Sequence, residues 1–357
     1  MPARWYRAVT AFACAIPLSA LSAAQSPAAS DEGPPTVDER AEPTAIVLVL
    51  PLASEAFRRA AEAVRAGFLA AADAASSKVV VVPHGDGGVL GAFEKAKEAG
   101  ARVIVGPLVR DDLKIVAAAG LDLPPTLALN QLDDGAALPD NVYTLTLTLD
   151  SDARQLAHRM RDAGAMTVAV VASDAPLQQR FAAAFNAEWI LAGGGAPVMI
   201  RFDRTADSLR SLRRDLIRTR FDATLLAIDG PDVALAKSYV KATPTYTSNQ
   251  VNEHQPPEAL RDLDDVRFVD IPWIVDPDAA LFAGIKRADY RNATLERLYA
   301  LGIDAFRVAQ ALAEGAVERL DIDGATGRLS LDHTRQIVRE GRLMVFRSGQ
   351  IVSDETR

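Results

Sequence analysis

From residue 44 onward, short apolar runs alternate along the chain with longer amphipathic segments. Within each short run nearly every position is apolar, without the in–out alternation of a half-exposed strand. Continuous runs of this kind are typical of strands that are buried on both faces of a parallel sheet. We therefore predict strands at 45–50, 79–82, 103–105, 167–171 and 223–228.

The longer segments have the pattern of amphipathic helices. Apolar residues recur every three or four positions in 57–72 and in 209–217, as they do on the buried face of a helix. The segments 151–163 and 294–317 are also predicted to be helical. Strands that alternate with helices through short connections predict βαβ units with right-handed crossovers.

These units fall into two series, 44–143 and 151–269, which predict an α/β fold with two doubly wound, Rossmann-like lobes and a central cleft. We expect lobe one to contain 44–146 and about 272–318. We expect lobe two to contain 147–271 and about 319–357, including a hairpin at 323–327 and closing strands over 343–351.

The N-terminal segment has the features of a secretory signal. Arg4 and Arg7 precede an apolar stretch from Ala8 to Leu18, and small residues at Ser22 and Ala24 fit a signal peptidase site. We predict a cleavable signal peptide at 1–24 and a disordered leader at 25–43. The mature protein is then expected in the periplasm, without a transmembrane segment. The residues before the only cysteine, Cys14, match a lipid-attachment sequence poorly, so anchoring in the outer membrane through a lipid on Cys14 is the less favoured alternative.

The charge composition limits the classes of molecule that the protein is expected to bind. A formal net charge of −8 argues against nucleic acid, whose phosphates need a basic face. Small solutes and other proteins remain open.

Sequence motifs for catalysis are absent or incomplete. The chain has no nucleophile elbow, Walker-type phosphate loop or dinucleotide fingerprint. Ser238 and Lys241 have the spacing of a nucleophile and its base, but the companion motifs are missing. We therefore expect no enzymatic activity, no cofactor and no metal, and we assign structural or surface roles to the histidines, His84, His158, His254 and His333.

Small residues, many of them polar, follow the predicted strands, at the ends where a doubly wound fold binds its ligand. Each alone is more often a turn or helix-capping residue, but as a set they predict the lining of a cleft. The predicted lining residues are Ser54, Gly106, Pro107, Leu108, Asn130, Ser173, Asp174, Asp229, Gly230, Thr247, Ser248 and Trp273.

Several motifs, in order, resemble the penicillin-binding protein activator family (LpoA, also called LppC). The resemblance covers almost all of 44–352. It implies a type I periplasmic binding protein fold and a partner, a class A penicillin-binding protein, whose peptidoglycan polymerisation and crosslinking are stimulated. The motifs are VGPL at 105–108, LALN at 127–130, PTYTSNQVN at 244–252, DIPW at 270–273, RLYALGIDAF at 297–306 and GATGRLSLD at 324–332.

Two functions are therefore open. The first is a protein-interaction module that regulates cell-wall synthesis by binding the synthase. The second is a periplasmic receptor for a small polar solute, an amino acid or a cell-wall fragment, gripped by Asn130, Asp229, Thr247 and Ser248.

Overall fold

The computed structural model describes residues 46–132, 137–240, 243–253 and 257–354. The predicted signal peptide, the predicted leader and His254 lie outside the described residues.

The strands are β1 (Ile46–Leu50), β2 (Val79–Pro83), β3 (Val103–Val105), β4 (Thr126–Ala128), β5 (Val142–Leu145), β6 (Val168–Ala172), β7 (Val198–Arg201), β8 (Ala223–Ala227), β9 (Thr245–Thr247), β10 (Val266–Asp270), β11 (Asp321–Asp323), β12 (Arg328–Leu331), β13 (Gln336–Glu340), β14 (Arg342–Arg347) and β15 (Gln350–Ser353).

The helices agree with the amphipathic segments of the sequence and add shorter ones between them. They are α1 (Arg58–Ala74), α2 (Val89–Glu98), α3 (Arg110–Ala118), α4 (Leu149–Asp162), α5 (Pro176–Leu191), α6 (Ala206–Arg218), α7 (Val233–Lys237), α8 (Pro257–Leu260), α9 (Pro272–Val275) and α10 (Ala293–Ala313). Short 3₁₀ turns lie at Gly230–Asp232, Asn249–Val251, Arg261–Leu263, Ala280–Phe282 and Val317–Arg319.

The strands form two sheets, one in each lobe. Over the described residues, the first has eight strands in the order β11-β12-β13-β5-β4-β3-β1-β2, and the second has seven in the order β15-β14-β10-β9-β8-β6-β7. Neighbours from β2 to β13 and from β7 to β10 run parallel, whereas β11, β12, β14 and β15 join in antiparallel pairs. The predicted α/β fold with two doubly wound lobes is confirmed.

One predicted lobe boundary is wrong. About 319–357 was expected in lobe two, but β11, β12 and β13 belong to the first sheet. β13 pairs in parallel with β5, so that Gln336 lies opposite Thr144 and Ile337 opposite Leu145. Leu329 and Ile337 are buried in the core of lobe one, which holds this stretch there.

Over the described residues, the chain therefore crosses between the lobes three times. It passes from β5 to α4, from β10 to α9, and from β13 to β14 through Gly341. A side chain at Gly341 would press against Val269 and the carbonyl oxygen of Asp270, so the second and third crossings lie against each other.

Helices cover both faces of each sheet. In lobe one, α1 and α10 pack on one face, and α2 and α3 pack on the other. In lobe two, α4 and α5 cover one face, and α6 and α7 cover the other. Among the described residues, no helix combines the length and the apolar character needed to cross a membrane.

Helices α1 and α10 touch through glycines. A Cβ added at Gly67 would overlap the carbonyl oxygen of Tyr299, and one added at Gly302 would overlap that of Val64. Since neither backbone can yield without moving its helix, the core of lobe one depends on both positions lacking a side chain.

We predict that Gly67→Ala lowers the free energy of unfolding by about 1–3 kcal/mol, because the added methyl group forces α1 and α10 apart. The measurement is chemical denaturation followed by circular dichroism.

Gly91→Ala is the matched control, because Gly91 lies inside α2 with no atom near its Cβ position. It should be neutral or stabilise by up to about 1 kcal/mol, as alanine favours the helix. Equal effects at the two positions would contradict close packing at Gly67.

Candidate functional site

A cavity of about 370 Å³ lies between the lobes. It is bounded by the ends of strands in both lobes and by the first turns of the helices that follow them. Its lining is strongly charged, with both signs present: Arg110, Asp150, Asp152, Arg180, Glu253 and Arg297.

Few of the residues predicted to line the cleft line this cavity. Within the described residues, Asn130 is the one predicted residue that lines it. The Nδ2 of Asn130 donates to the carbonyl oxygen of Leu108 at 2.9 Å, and its Oδ1 accepts from the main-chain N–H of Gln131 at 2.9 Å. Both functional groups of its side chain are therefore engaged in holding the loop after β4.

The other predicted residues of lobe one shape the backbone. A side chain at Gly106 would overlap the carbonyl oxygen of Val49, so β1 and the end of β3 approach closely there. The carbonyl oxygen of Pro107 accepts from the N–H of Leu129 at 2.9 Å. Ser54 is buried, and its hydroxyl has no hydrogen-bond partner in this part of the protein.

In lobe two, three of the predicted residues hold neighbouring segments together. The hydroxyl of Thr247 donates to the carbonyl oxygen of Leu226 at 2.8 Å. The carboxylate of Asp229 accepts from the Nε2 of Gln178 at 3.2 Å. A side chain at Gly230 would overlap the carbonyl oxygen of Gln250, so this glycine lets two loops touch.

The remaining predicted residues of lobe two differ in exposure. Asp174 is exposed and pairs with Arg201 at 2.5 Å. The buried hydroxyls of Ser173 and Ser248 find no partner within the described ranges. Ser248 directly precedes Asn249 and Gln250, which line the cavity.

Trp273 was predicted to line the cleft, but it lies in the core of lobe one with 1% of its surface exposed. Its ring packs edge-on against Phe282 and beside Tyr299, at centroid distances of 4.9 and 5.5 Å. The guanidinium of Arg287 lies 3.9 Å from the ring centroid. The apolar surface of the indole favours burial over a place at a polar cleft.

Five of the six charged lining residues that sequence reasoning missed, all but Glu253, lie in the first two turns of a helix. Arg110 begins α3, Asp150 and Asp152 lie in the first turn of α4, and Arg297 lies in the second turn of α10. The helix dipole favours the two carboxylates at the start of α4. The available signal was a charged residue in the first two turns of a helix, rather than in the loop before it.

Arg297 is the centre of the buried polar contacts in the cleft. Its Nε and Nη2 donate to the two carboxylate oxygens of Asp270 at 3.0 and 2.8 Å. Its Nη2 also reaches the carbonyl oxygens of Asn249 and Asn252 at 3.0 and 3.3 Å. Burial opposes the positive charge, but the attraction of Asp270 and its hydrogen bonds raise the pKa of Arg297. Arg297 belongs to lobe one, whereas its partners belong to lobe two or the second crossing.

A second buried pair joins Asp152 of α4 to Arg339 of β13, again across the lobes. Both side chains are 2% exposed. Burial raises the pKa of Asp152, and Arg339 opposes that rise by stabilising the carboxylate. Asn249 donates to the other carboxylate oxygen of Asp152 at 2.9 Å and so links the two pairs.

The third crossing is held by Gln155 of α4. Its Nε2 donates to the carbonyl oxygen of Gly341 at 2.6 Å, and its Oε1 accepts from the N–H of Gly341 at 2.9 Å. The contacts of Asp152, Asp270 and Gln155 thus fall at or beside all three crossings. We call this set, with Arg297 and Arg339, the hinge network.

A larger groove of about 1060 Å³ lies between β13 and α4. Several charges that line it already have partners: Arg335 pairs with Asp140 at 3.3 Å, and His158 with Glu188 at 2.8 Å. The groove spans both lobes beside Arg339, so it too is bounded by the hinge network.

A family model described as "LppC putative lipoprotein" matches residues 37–349. The chain belongs to the LppC family. The match covers both lobes and all three crossings, so the hinge network lies wholly inside the family region.

Among curated relatives of this LppC chain is the penicillin-binding protein activator LpoA of Pasteurella multocida, 28% identical over 86% of this chain and 54% of the relative. The chain spans about half the length of the curated relatives that it matches first.

Two solved structures share the fold of this LppC chain. One, described as a "putative branched-chain amino acid ABC transporter" from Chromobacterium violaceum, has a TM-score of 0.76 and 33% identity, covering 85% of this chain and 99% of its own. The other is the LpoA C-domain of Haemophilus influenzae, with a TM-score of 0.75 and 22% identity, covering 86% and 99%. The fold is that of periplasmic binding proteins.

We predict that Arg297→Met lowers the free energy of unfolding by about 3–5 kcal/mol, because it leaves the buried Asp270 without its counter-charge. Adding Asp270→Asn should recover part of the loss, since no uncompensated charge then remains. Denaturant titration of the single and double variants measures both effects.

Arg328→Met is the matched control, because it breaks an exposed ion pair with Asp321. Its cost should stay below about 1 kcal/mol. A cost for Arg297→Met as small as that of the control would contradict the structural role of the buried pair.

Proposed function

We propose that this chain is a non-catalytic periplasmic protein that binds a class A penicillin-binding protein and raises its activity. Membership of the LppC family over both lobes carries the proposal, because relatives of this region are named penicillin-binding protein activator LpoA. The Haemophilus influenzae protein whose C-domain shares this fold is described as a regulator of PBP1A. Export through the predicted signal peptide is part of the proposal.

The state of the cleft supports a binding platform over a solute receptor. A receptor needs polar groups that are free to meet its ligand. Here Asn130, Thr247 and Asp229 make hydrogen bonds within the protein. Three of the four side chains that the sequence suggested as a grip therefore stabilise the lobes themselves, and Ser248 is the exception.

The hinge network supports the same proposal. A solute receptor captures its ligand by closing one lobe on the other. In this chain, Arg297 and Arg339 tie lobe one to Asp270 and Asp152 at the crossings. We infer that the lobes act as one rigid body that presents its outer surfaces to the synthase.

A small polar solute in the cleft is the second candidate function. It is favoured by the 370 Å³ cavity and by the buried hydroxyl of Ser248, which has no partner among the described residues. Glu253 and Arg180, which also pairs with Asp150 at 2.5 Å, supply charges of both signs for an amino acid. This function requires the lobes to separate so that the solute can enter.

The test mixes the full mature chain with the periplasmic region of the organism's class A synthase and measures both binding and glycan polymerisation. We expect the two to form a complex and the polymerisation rate to rise with the concentration of this chain. A leucine-binding protein of the same fold serves as the control and should change neither. Absence of a complex together with an unchanged rate would overturn the proposed function.

A further inference from the structure

Strand β7 is an edge of the second sheet with exposed apolar side chains. The strands at the four sheet edges of the described structure are β2, β7, β11 and β15. Proteins usually block such edges with charge or proline. β11 carries the exposed Asp321 and Asp323, and β2 ends at Pro83. β7 also has Pro197 directly before it and the charged Arg201 at its end, but between them it exposes two large apolar side chains, Val198 at 46% and Met199 at 50%.

The outer main-chain groups of β7 face away from its neighbour. The N–H of Phe202 donates to the carbonyl oxygen of Ala172 in β6 at 2.8 Å. Alternate residues of a strand direct their N–H and C=O groups to opposite sides. The N–H groups of Met199 and Arg201 therefore point outward, where a further strand can pair with them.

Further apolar side chains adjoin this edge. Ile190 and Leu191, at the end of α5, are 54% and 80% exposed. The Nδ2 of Asn186 lies 3.1 Å from the sulfur of Met199, which places β7 against α5. Met199 and the end of α5 thus form an exposed apolar strip on one face of the sheet, whereas Val198 lies on the face that α6 covers, because successive side chains of a strand alternate.

The other flank of β7 is basic. Residues 201–220 contain seven arginines and three aspartates, a local charge of +4 in a chain with a net charge of −8. Helix α6 buries Leu212 and Leu216 in lobe two, and its opposite side exposes Arg210, Arg213, Arg214, Ile217 and Arg218. Arg213 and Arg218 have no acidic partner among the described residues. We call β7, the end of α5 and this side of α6 the β7 surface.

We propose that the β7 surface binds an extended segment of the synthase that carries both apolar and acidic side chains and adds to the sheet beside β7. This inference rests on the proposed function and names the surface that performs it. Main-chain pairing along an exposed strand supplies affinity, and side-chain pockets supply specificity. The apolar strip accepts apolar side chains, and the arginines of α6 pair with carboxylates.

The features of the β7 surface favour such a segment over two other occupants. A lipid surface attracts arginines, but it cannot pair with the outward main-chain groups of an edge strand. A second copy of this chain would pair with two-fold symmetry and so bring two surfaces of the same charge together. An acidic strand from a different protein satisfies both the main chain and the charge.

The test measures binding of the full mature chain to the periplasmic region of the synthase. Met199→Pro removes one outward N–H group and keeps the hydrogen bonds between β7 and β6. Met199→Ala is its control, because it removes the same side chain but keeps the N–H group. Arg213→Glu with Arg218→Glu reverses the basic flank. Arg58→Glu with Arg59→Glu is its control, because both arginines are exposed on α1 in the other lobe. Thermal unfolding confirms that each variant folds.

We expect the proline and α6 variants to lose at least about tenfold in affinity, while the α1 control binds like the natural chain and Met199→Ala loses less than the proline variant. If the natural chain binds and both test variants bind equally well, the β7 surface is overturned while the proposed function stands. If the natural chain does not bind the synthase, both fail. Two further results would also overturn the inference. In the first, the α6 variant no longer binds anionic vesicles while the proline variant still binds the synthase, which indicates a lipid surface. In the second, the natural chain self-associates and Met199→Pro abolishes that association, which indicates a second copy.

Discussion

The two buried arginine–aspartate pairs at the crossings are the interaction on which the rest of the structure depends. Each pair joins an arginine of lobe one to an aspartate of lobe two, and Asn249 links them. A buried pair adds little net stability over an apolar one, but removing one partner costs about 3–5 kcal/mol because the other charge is left buried without its counter-charge. The hydrogen bonds of both pairs form only where the two lobes meet, so the pairs favour this arrangement of the lobes.

This arrangement differs from that of a solute receptor with the same fold, whose lobes close on a ligand. In a receptor, polar groups at the strand ends are unpaired until the ligand binds. In this chain, several of those groups hold neighbouring loops, and charges from the following helices hold the lobes. Surfaces far from the cleft, such as the β7 surface, then keep a constant relation to one another. A protein partner that contacts both lobes benefits from such a preorganised platform, because little order is lost on binding.

The sequence was sufficient to predict the fold because its patterns are local. Continuous apolar runs predicted β1, β2, β3, β6 and β8, and the helical period predicted α1 and α6. It was insufficient to place β13 in the first sheet, because its partner β5 lies far away in the sequence.

The candidate site was predicted less well. Glycines after the strands proved to be points of close backbone approach, and Trp273 proved to be core.

The hinge network could not be read from the sequence for a related reason. Arg297 and Asp270 are 27 positions apart, and Arg339 and Asp152 are 187 apart, so no periodicity connects them. The sequence does not distinguish these charged residues from the many exposed ones, because the two groups differ only in burial, which the fold determines. Only the three crossings of the chain bring them together.

The most direct test of the rigid platform is the distance between the lobes in solution. Since the only cysteine, Cys14, lies in the predicted signal peptide, the mature chain can carry spin labels at Lys95→Cys on α2 and Ala187→Cys on α5 alone. Pulsed electron spin resonance should give a single narrow distance that amino acids and cell-wall fragments leave unchanged, and Arg297→Met should broaden it. Two distances in the natural chain, with one selected by a solute, would contradict the account and favour a receptor.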